Sequence, residues 1–128
     1  MVMEEKQKSI IENYVNSYNQ FDVSGMTNDL SDDVVFENIS NGNVDLRTEG
    51  LQAFKEQAET AKQYFNQRQQ VIESWDFKES CVSIRIDYTG TLAMDLPNGL
   101  KKGDTLKLKG ESVFEFANSK IIRITDRV

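Results

Sequence analysis

Histidine is absent from this sequence of 128 residues, and cysteine and proline occur once each. Without histidine, Ser-His-Asp and Cys-His nucleophilic schemes and imidazole metal ligation are excluded, and the usual general base near neutral pH is missing. The single cysteine, Cys81, excludes an intramolecular disulfide and a metal site built from several cysteines. Any acid–base chemistry must therefore come from carboxylates, tyrosines or lysines.

Clustered positive charge and long apolar runs are also missing. The net charge of −6 disfavours nucleic acid as a partner, because phosphate binding needs a cationic surface. No segment approaches the roughly 18 consecutive apolar residues of a membrane span, and the first residues do not resemble a signal peptide. We therefore expect a cytoplasmic protein that binds neither nucleic acid nor membrane.

The residues that are present are typical of a folded domain. Hydrophobic residues make up 38% and charged residues 28% of the chain, which is an ordinary globular mixture. A chain of this length can bury roughly 68% of the surface that it exposes when unfolded. Because no repeat, low-complexity segment or linker interrupts it, we predict that residues 1–128 form a single domain.

Helical spacing of apolar residues marks the first half of the chain. It predicts a helix from about Glu4 to Asn19, a short helix after Asp22, and a third helix whose apolar positions run from Leu51 to Phe65. From Gln67 onward the apolar period changes to two, which is typical of strands with one apolar face. The predicted strands are Asp33–Ile39, one from Gln67, Val82–Tyr88, Leu106–Phe116 and Lys120–Thr125, with turns at Asn41–Asn43 and Leu96–Gly99.

Helices followed by a meander of strands are the pattern of the α+β class. Because each long strand has one apolar face, helices can cover only one side of the sheet, and strand twist makes the sheet curl around them. We therefore predict about three N-terminal helices packed on a strongly curved antiparallel sheet, with a hollow between them.

Four stretches of the chain carry a family resemblance, and they are Ile11–Asp22 (IENYVNSYNQFD), Leu30–Asn38 (LSDDVVFEN), Glu49–Phe54 (EGLQAF) and Phe114–Asp126. In their order and spacing the chain resembles the nuclear transport factor 2-like superfamily, which includes steroid delta-isomerases and SnoaL-like polyketide cyclases. The resemblance implies a cone-shaped fold with a pocket between helices and sheet, and homodimers that pair through the outer face of the sheet. It does not decide activity, because the superfamily includes enzymes and non-catalytic binding proteins.

The resemblance also implies positions for a site. In steroid delta-isomerases a first-helix tyrosine and a protonated aspartic acid donate hydrogen bonds to a substrate oxygen, while a second aspartate moves the proton. The matching residues here are Tyr14, Ser112 and Asn38. An amide has no proton to exchange, and Glu37 faces the opposite side of its strand. We therefore predict that the chain is not a steroid isomerase, with Tyr14 left as oxyanion donor and Asn38 and Ser112 as ligand-binding residues.

Other candidates line or border the predicted hollow. The aromatic residues predicted to contact a ligand, each with core packing as the alternative, are Tyr18, Trp75, Tyr88 and Phe116. Asp76 and Asp126 are carboxylates near strand ends, and periodicity alone places neither of them.

Three functions remain open at this level. The first is a non-catalytic binder of a small apolar molecule, which the missing base favours. The second is an isomerase, cyclase or dehydratase-like enzyme that acts by proton transfer on a small carbonyl compound. The third is a dimeric association module whose pocket is filled by its own side chains. We predict no cofactor and no metal for any of them.

Overall fold

The computed structural model describes residues 2–97 and 99–128, with side chains from residue 4 onward. These residues form three helices and six strands, with two helices before the first strand and one between the second and third strands. The elements are α1 Val2–Asn19, α2 Val23–Met26, β1 Leu30–Ser40, β2 Asn43–Glu49, α3 Leu51–Lys62, β3 Phe65–Lys78, β4 Cys81–Leu92, β5 Thr105–Ala117 and β6 Lys120–Arg127. The predicted α+β class is therefore confirmed. The predicted turn at Leu96–Gly99 includes Asn98, which lies outside the described residues.

All six strands form one sheet in the order β2-β1-β6-β5-β4-β3. The neighbouring pairs are antiparallel except β1 and β6, which run parallel. The sheet is thus mixed and not purely antiparallel as predicted, because the final strand inserts between β1 and β5 instead of joining an edge. This places the C-terminal strand at the centre of the sheet.

One strand and one helix end differ from the predictions. Strand β2 was not predicted, since its exposed apolar residue Val44 and half-buried Leu46 alternate with charged residues on an edge strand. Helix α3 ends at Lys62, so Phe65, which continues the helical spacing, begins strand β3 instead. The helical spacing of Phe65 relative to α3 is coincidental, because Phe65 belongs to the sheet. Its ring packs against that of Tyr88 on β4 with centroids 6.0 Å apart.

The core lies between α1 and the concave face of the sheet. Ile11 of α1 and Phe114 of β5 are fully buried, and Tyr14 meets Phe114 edge-on with ring centroids 5.6 Å apart. Register shifts interrupt the β1–β2, β3–β4 and β5–β6 ladders. Such bulges bend strands and increase their twist. The bent sheet leaves a hollow beside the C-terminal half of α1.

Among the described residues, no helix is long and apolar enough to span a membrane.

Candidate functional site

Three polar residues form a row across the middle of the sheet. Asp126 of β6 is in register with Asn38 of β1 on one side and with Ser112 of β5 on the other. Residues in register on neighbouring strands point to the same face, with Cβ atoms roughly 5 Å apart. Asp126 therefore stands between the two positions at which the resemblance implied carboxylates and the sequence has an amide and a hydroxyl.

Asp126 has an unusual electrostatic environment for a carboxylate. Ser112 Oγ donates a hydrogen bond to Asp126 Oδ1 over 2.7 Å. Burial raises the pKa of Asp126 from its ordinary value of 3.8 to about 6, and the hydrogen bond from Ser112 opposes that rise. Although surrounded by protein, Asp126 keeps some solvent exposure and lines the hollow. It is a carboxylate that can exchange a proton near neutral pH.

The hollow consists of two adjoining chambers. The outer chamber has a volume of about 410 Å³ and lies between Phe65, Tyr88 and the strand ends of β5 and β6. The inner chamber has a volume of about 180 Å³ and lies beneath Tyr14, Phe36 and Phe54. Residues lining both are Tyr18, Asn38, Ala61, Gln70 and Asp126. Asp126 can therefore reach a molecule that occupies either chamber.

Tyr14 lies on the buried face of α1 and lines the inner chamber. Its hydroxyl makes no hydrogen bond to any residue that the structure describes. Burial, assisted by the negative charge of Asp126, raises the pKa of Tyr14 far above its ordinary range. The phenol therefore stays protonated and is available as a hydrogen-bond donor.

Tyr18 lies one helical turn after Tyr14 and interacts with Tyr88 of β4. Their hydroxyl oxygens are 3.0 Å apart and share a hydrogen bond. Burial raises the pKa of both phenols, so both remain neutral. Both residues line the outer chamber, where the hydroxyl pair lies on a wall that also includes the apolar side chains of Phe65 and Ile86.

Asn38 is oriented by a neighbour on β2. Its Nδ2 donates a hydrogen bond to Asp45 Oδ1 over 2.9 Å, and Ser40 Oγ donates to Asp45 Oδ2 over 2.8 Å. Its amide oxygen accepts no hydrogen bond from the described residues, and Asn38 lines both chambers. Glu37, as predicted from strand alternation, points elsewhere and pairs with Arg47 and Arg123.

Two predicted lining residues do not contact this hollow. Trp75 stacks on Phe77 with ring centroids 5.6 Å apart, under the ammonium group of Lys8. Phe116 is buried near Gln7, beside a separate cavity of about 310 Å³. Both lie toward the N-terminal half of α1, whereas the hollow is beside the C-terminal half.

The sequence prediction missed Arg68. This residue is 5% exposed and its Nε donates to the carbonyl oxygen of Tyr18 over 2.9 Å. It lines the inner chamber together with Gln70. A signal was available, because alternation extended backwards from Ile72 places Gln70 and Arg68 on the inner face of β3.

No cluster of histidine, cysteine, aspartate or glutamate that could hold a metal ion is present within residues 2–97 and 99–128. The polar groups that line the hollow include one carboxylate with a raised pKa, neutral phenols, an amide and a guanidinium.

A helical layer over a bent six-strand sheet, with a hollow between them, is the nuclear transport factor 2-like architecture. The chain belongs to the SnoaL-like family, because the model of the SnoaL-like domain matches residues 11–124. This confirms the resemblance. No curated protein sequence matches the chain.

Solved structures share the fold at low sequence identity. A proposed polyketide cyclase from Xanthomonas campestris pv. campestris is 21% identical with a TM-score of 0.79, covering 97% of this chain and 90% of that one. AclR, a proposed hydroxylase from Streptomyces galilaeus, is 22% identical with a TM-score of 0.76, covering 97% and 88%. TerC, crystallised with polyporic acid, is 15% identical with a TM-score of 0.76, covering 94% and 89%. At these identities the likeness establishes the fold alone.

Proposed function

We propose that this chain binds a small, largely apolar carbonyl compound in the two chambers and transfers a proton on it, with Asp126 as the acid–base group. The observation that carries the proposal is the carboxyl of Asp126, which lines both chambers and has a pKa raised to about 6 by burial. Titratable groups perturbed by burial inside a cleft are typical of active sites.

The raised pKa suits Asp126 to both halves of a proton transfer. At pH 7 a carboxyl with a pKa of about 6 is about nine-tenths ionised and can accept a proton. Its conjugate acid is then only weakly stable at that pH and readily returns the proton. A carboxylate at its ordinary pKa would be a much weaker base.

The proposed step needs no cofactor. Asp126 removes a proton from the carbon next to the ligand carbonyl, and the electron pair of the broken C–H bond moves toward the carbonyl oxygen to form an enolate. Tyr14, which remains protonated, donates a hydrogen bond to that oxygen. The protonated Asp126 then returns a proton to the same carbon, which gives exchange alone, or, where the substrate has a C=C bond conjugated with the enolate, to the far carbon of the resulting dienolate, which shifts the double bond without net gain or loss of atoms.

The family and its relatives are compatible with this chemistry. Proposed polyketide cyclases are among the similar structures, and so is a protein crystallised with polyporic acid. Polyporic acid is therefore a reasonable first probe for the hollow of this chain. Catalysis by this chain is proposed from the position and raised pKa of Asp126 and not from those relatives.

A non-catalytic binder is the second candidate. It is favoured by Asn38 and Ser112, which occupy the two positions where steroid isomerases carry carboxylates. It would use the same chambers, whose outer volume of about 410 Å³ lies within the usual range for small-molecule pockets. An association module with a filled pocket is less favoured, because both chambers are open. A homodimer through the outer sheet face and a cytoplasmic location remain part of the proposal.

Hydrogen–deuterium exchange separates the enzyme from the binder. Small aryl ketones and β-diketones are incubated with the protein in D₂O, and deuterium entering the ligand carbon next to the carbonyl is measured by mass spectrometry; polyporic acid, which has no C–H at that position, serves only as a binding probe. We expect exchange to accelerate with wild-type protein, to fall about 100-fold or more in Asp126→Asn, and to show an apparent pKa of about 6. Tyr14→Phe should reduce it by about 100-fold.

Asp76→Asn is the matched control, because it makes the same change at an exposed carboxylate outside the hollow. Ligand binding that persists in Asp126→Asn, with no exchange in wild-type protein, would support the binder and contradict the enzyme.

A further inference from the structure

Arg68 has an unused hydrogen-bond donor in the interior. Its Nη2 is buried and has no hydrogen-bond partner among the described residues. No carboxylate of the described chain lies within ion-pair distance of its guanidinium. Buried charged groups are costly without partners, and they are normally paired or bound to a ligand. The chain therefore maintains a buried cation that its own side chains do not neutralise.

The guanidinium is held firmly in place. It lies 3.7 Å from the centroid of the Tyr18 ring and 4.6 Å from that of Phe21, and its Nε is fixed on the Tyr18 carbonyl oxygen. Stacking of this kind stabilises the cation without using its N–H groups. The held guanidinium is thus a preorganised donor with N–H capacity left over.

Arg68 lies in the same chamber as the proposed catalytic groups. It lines the inner chamber with Tyr14 and Asp126. The carboxyl of Asp126 accepts from Ser112 and makes no ion pair with Arg68. A ligand with an anionic oxygen in the inner chamber would supply the negative charge that the guanidinium lacks; because Nη2 is closed to solvent, direct contact falls to the atoms of Arg68 that line the chamber.

We infer that Arg68 binds a carboxylate of the substrate, so that the substrate class is a small keto acid with an apolar body. This inference rests on the proposed function of the hollow. The carboxylate contacts Arg68 in the inner chamber, the carbonyl reaches Tyr14 and Asp126, and the apolar body extends into the outer chamber past Phe65 and Tyr88. A planar guanidinium suits a carboxylate, because two N–H groups can contact both oxygens.

A matched pair of probes tests this assignment. The keto acid 4-oxo-4-phenylbutanoate and its primary amide have the same carbonyl and the same apolar body, and they differ in charge at one end. Binding of each is measured by calorimetry at pH 7.5 to wild-type protein, Arg68→Gln, Arg85→Gln and Asp126→Asn. Arg85→Gln is the matched control, because Arg85 is an exposed arginine on β4.

We expect the acid to bind wild-type protein about tenfold or more tightly than the amide, because hydrogen bonds between charged groups are the stronger ones. Arg68→Gln should abolish that preference and Arg85→Gln should not. Asp126→Asn should keep or strengthen binding of the acid, since it removes a negative charge that lines both chambers. Equal affinity for acid and amide, absence of binding by either, or equal losses of both in Arg68→Gln would overturn the inference.

A second measurement does not depend on the folding of a variant. In wild-type protein with ¹⁵N-labelled arginine, addition of the acid should shift the side-chain signals of Arg68 and leave those of Arg85 unchanged. Unshifted Arg68 signals on saturation with the acid would contradict the assignment. Failure of the proposed function would give a different result from failure of the Arg68 assignment. In that case Arg68 would still make the protein prefer the acid over the amide, while deuterium exchange stayed at its uncatalysed rate.

Discussion

Ser112 Oγ and Asp126 Oδ1 are joined by a hydrogen bond of 2.7 Å between neighbouring strands, and this contact opposes the burial that raises the pKa of Asp126. A hydrogen bond to the ionised form of a carboxyl stabilises that form. Ser112 therefore favours the ionised form of the proposed base, at a position where the resemblance implied a contact with the substrate oxygen.

Ser112→Ala should raise the pKa of Asp126 above about 6, because it removes the donor that favours the carboxylate. The titration can be followed by NMR of the labelled carboxyl carbon. Ser83→Ala is the matched control, since Ser83 lies on the adjacent strand β4 in register with Val113. An unchanged or lowered pKa in Ser112→Ala would contradict the proposed role of the hydrogen bond.

Asp126→Asn should stabilise the protein at pH 7.5 by up to about 3 kcal/mol, from a pKa raised by about two units. Below about pH 4 the carboxyl is protonated in both the folded and the unfolded chain, so burial costs no ionisation energy. Between about pH 4 and pH 6 only the unfolded chain ionises, and stability falls as pH rises. Above about pH 6 the carboxyl is ionised in both the folded and the unfolded chain, and the full free-energy cost of burying its charge remains.

Chemical denaturation at pH 7.5 and pH 3.5 measures this effect. The gain in Asp126→Asn should be present at the higher pH and lost at the lower one. Asp76→Asn, at an exposed site, should change stability by less than about 0.5 kcal/mol at either pH. A destabilised Asp126→Asn at pH 7.5 would show that the carboxylate is not strained by burial.

The Tyr18–Tyr88 hydrogen bond should contribute a coupling free energy of about 0.5–1.5 kcal/mol to the stability of the fold, which is typical of a hydrogen bond between neutral groups. Removing one hydroxyl leaves the other without its partner, whereas removing both leaves two phenyl rings. The double-mutant cycle of Tyr18→Phe and Tyr88→Phe isolates this term from the change in ring burial. A coupling near zero would indicate that water replaces either hydroxyl at no cost.

The fold was largely predictable from the sequence, because the helical and strand periods of the apolar residues are regular. The identity of the proposed base was not. Ile121 and Ile122 are adjacent apolar residues, so the phase of β6 is ambiguous. A register shift in the β5–β6 ladder buries Ile121 and Ile124 and leaves Ile122 exposed, which places Asp126 on the inner face. No pattern in the local sequence predicts such a bulge.

The carboxylate of the proposed base lies on β6 and not on β1 or β5, the strands at which the resemblance implied carboxylates. The matching positions on β1 and β5 are occupied by Asn38 and Ser112, which carry no acid. The parallel pairing of β1 with β6 brings the last strand between those positions, and that contact is non-local. The position of Asp126 between Asn38 and Ser112 therefore follows from strand order, which a comparison of single positions does not contain.

Asn38→Asp should add a second carboxylate next to Asp126 and Asp45. Because Asn38 is in register with Asp126 and donates to Asp45, the new charge would face two like charges and lose the donor. Like charges disfavour ionisation, so the pKa of Asp126 should rise further in this variant.

The pH dependence of the stability of Asn38→Asp separates the effect of the added charge from the effect of the lost hydrogen bond to Asp45. Carboxyl groups whose pKa is raised in the folded state destabilise it as pH rises, so Asn38→Asp should lose stability between about pH 4 and pH 7 and recover it on acidification. Asn38→Ala, which removes the donor without adding charge, is the control and should show no additional loss over that range. If denaturation finds the same pH dependence in both variants, position 38 does not interact electrostatically with Asp126, and the row of polar residues is not a coupled site.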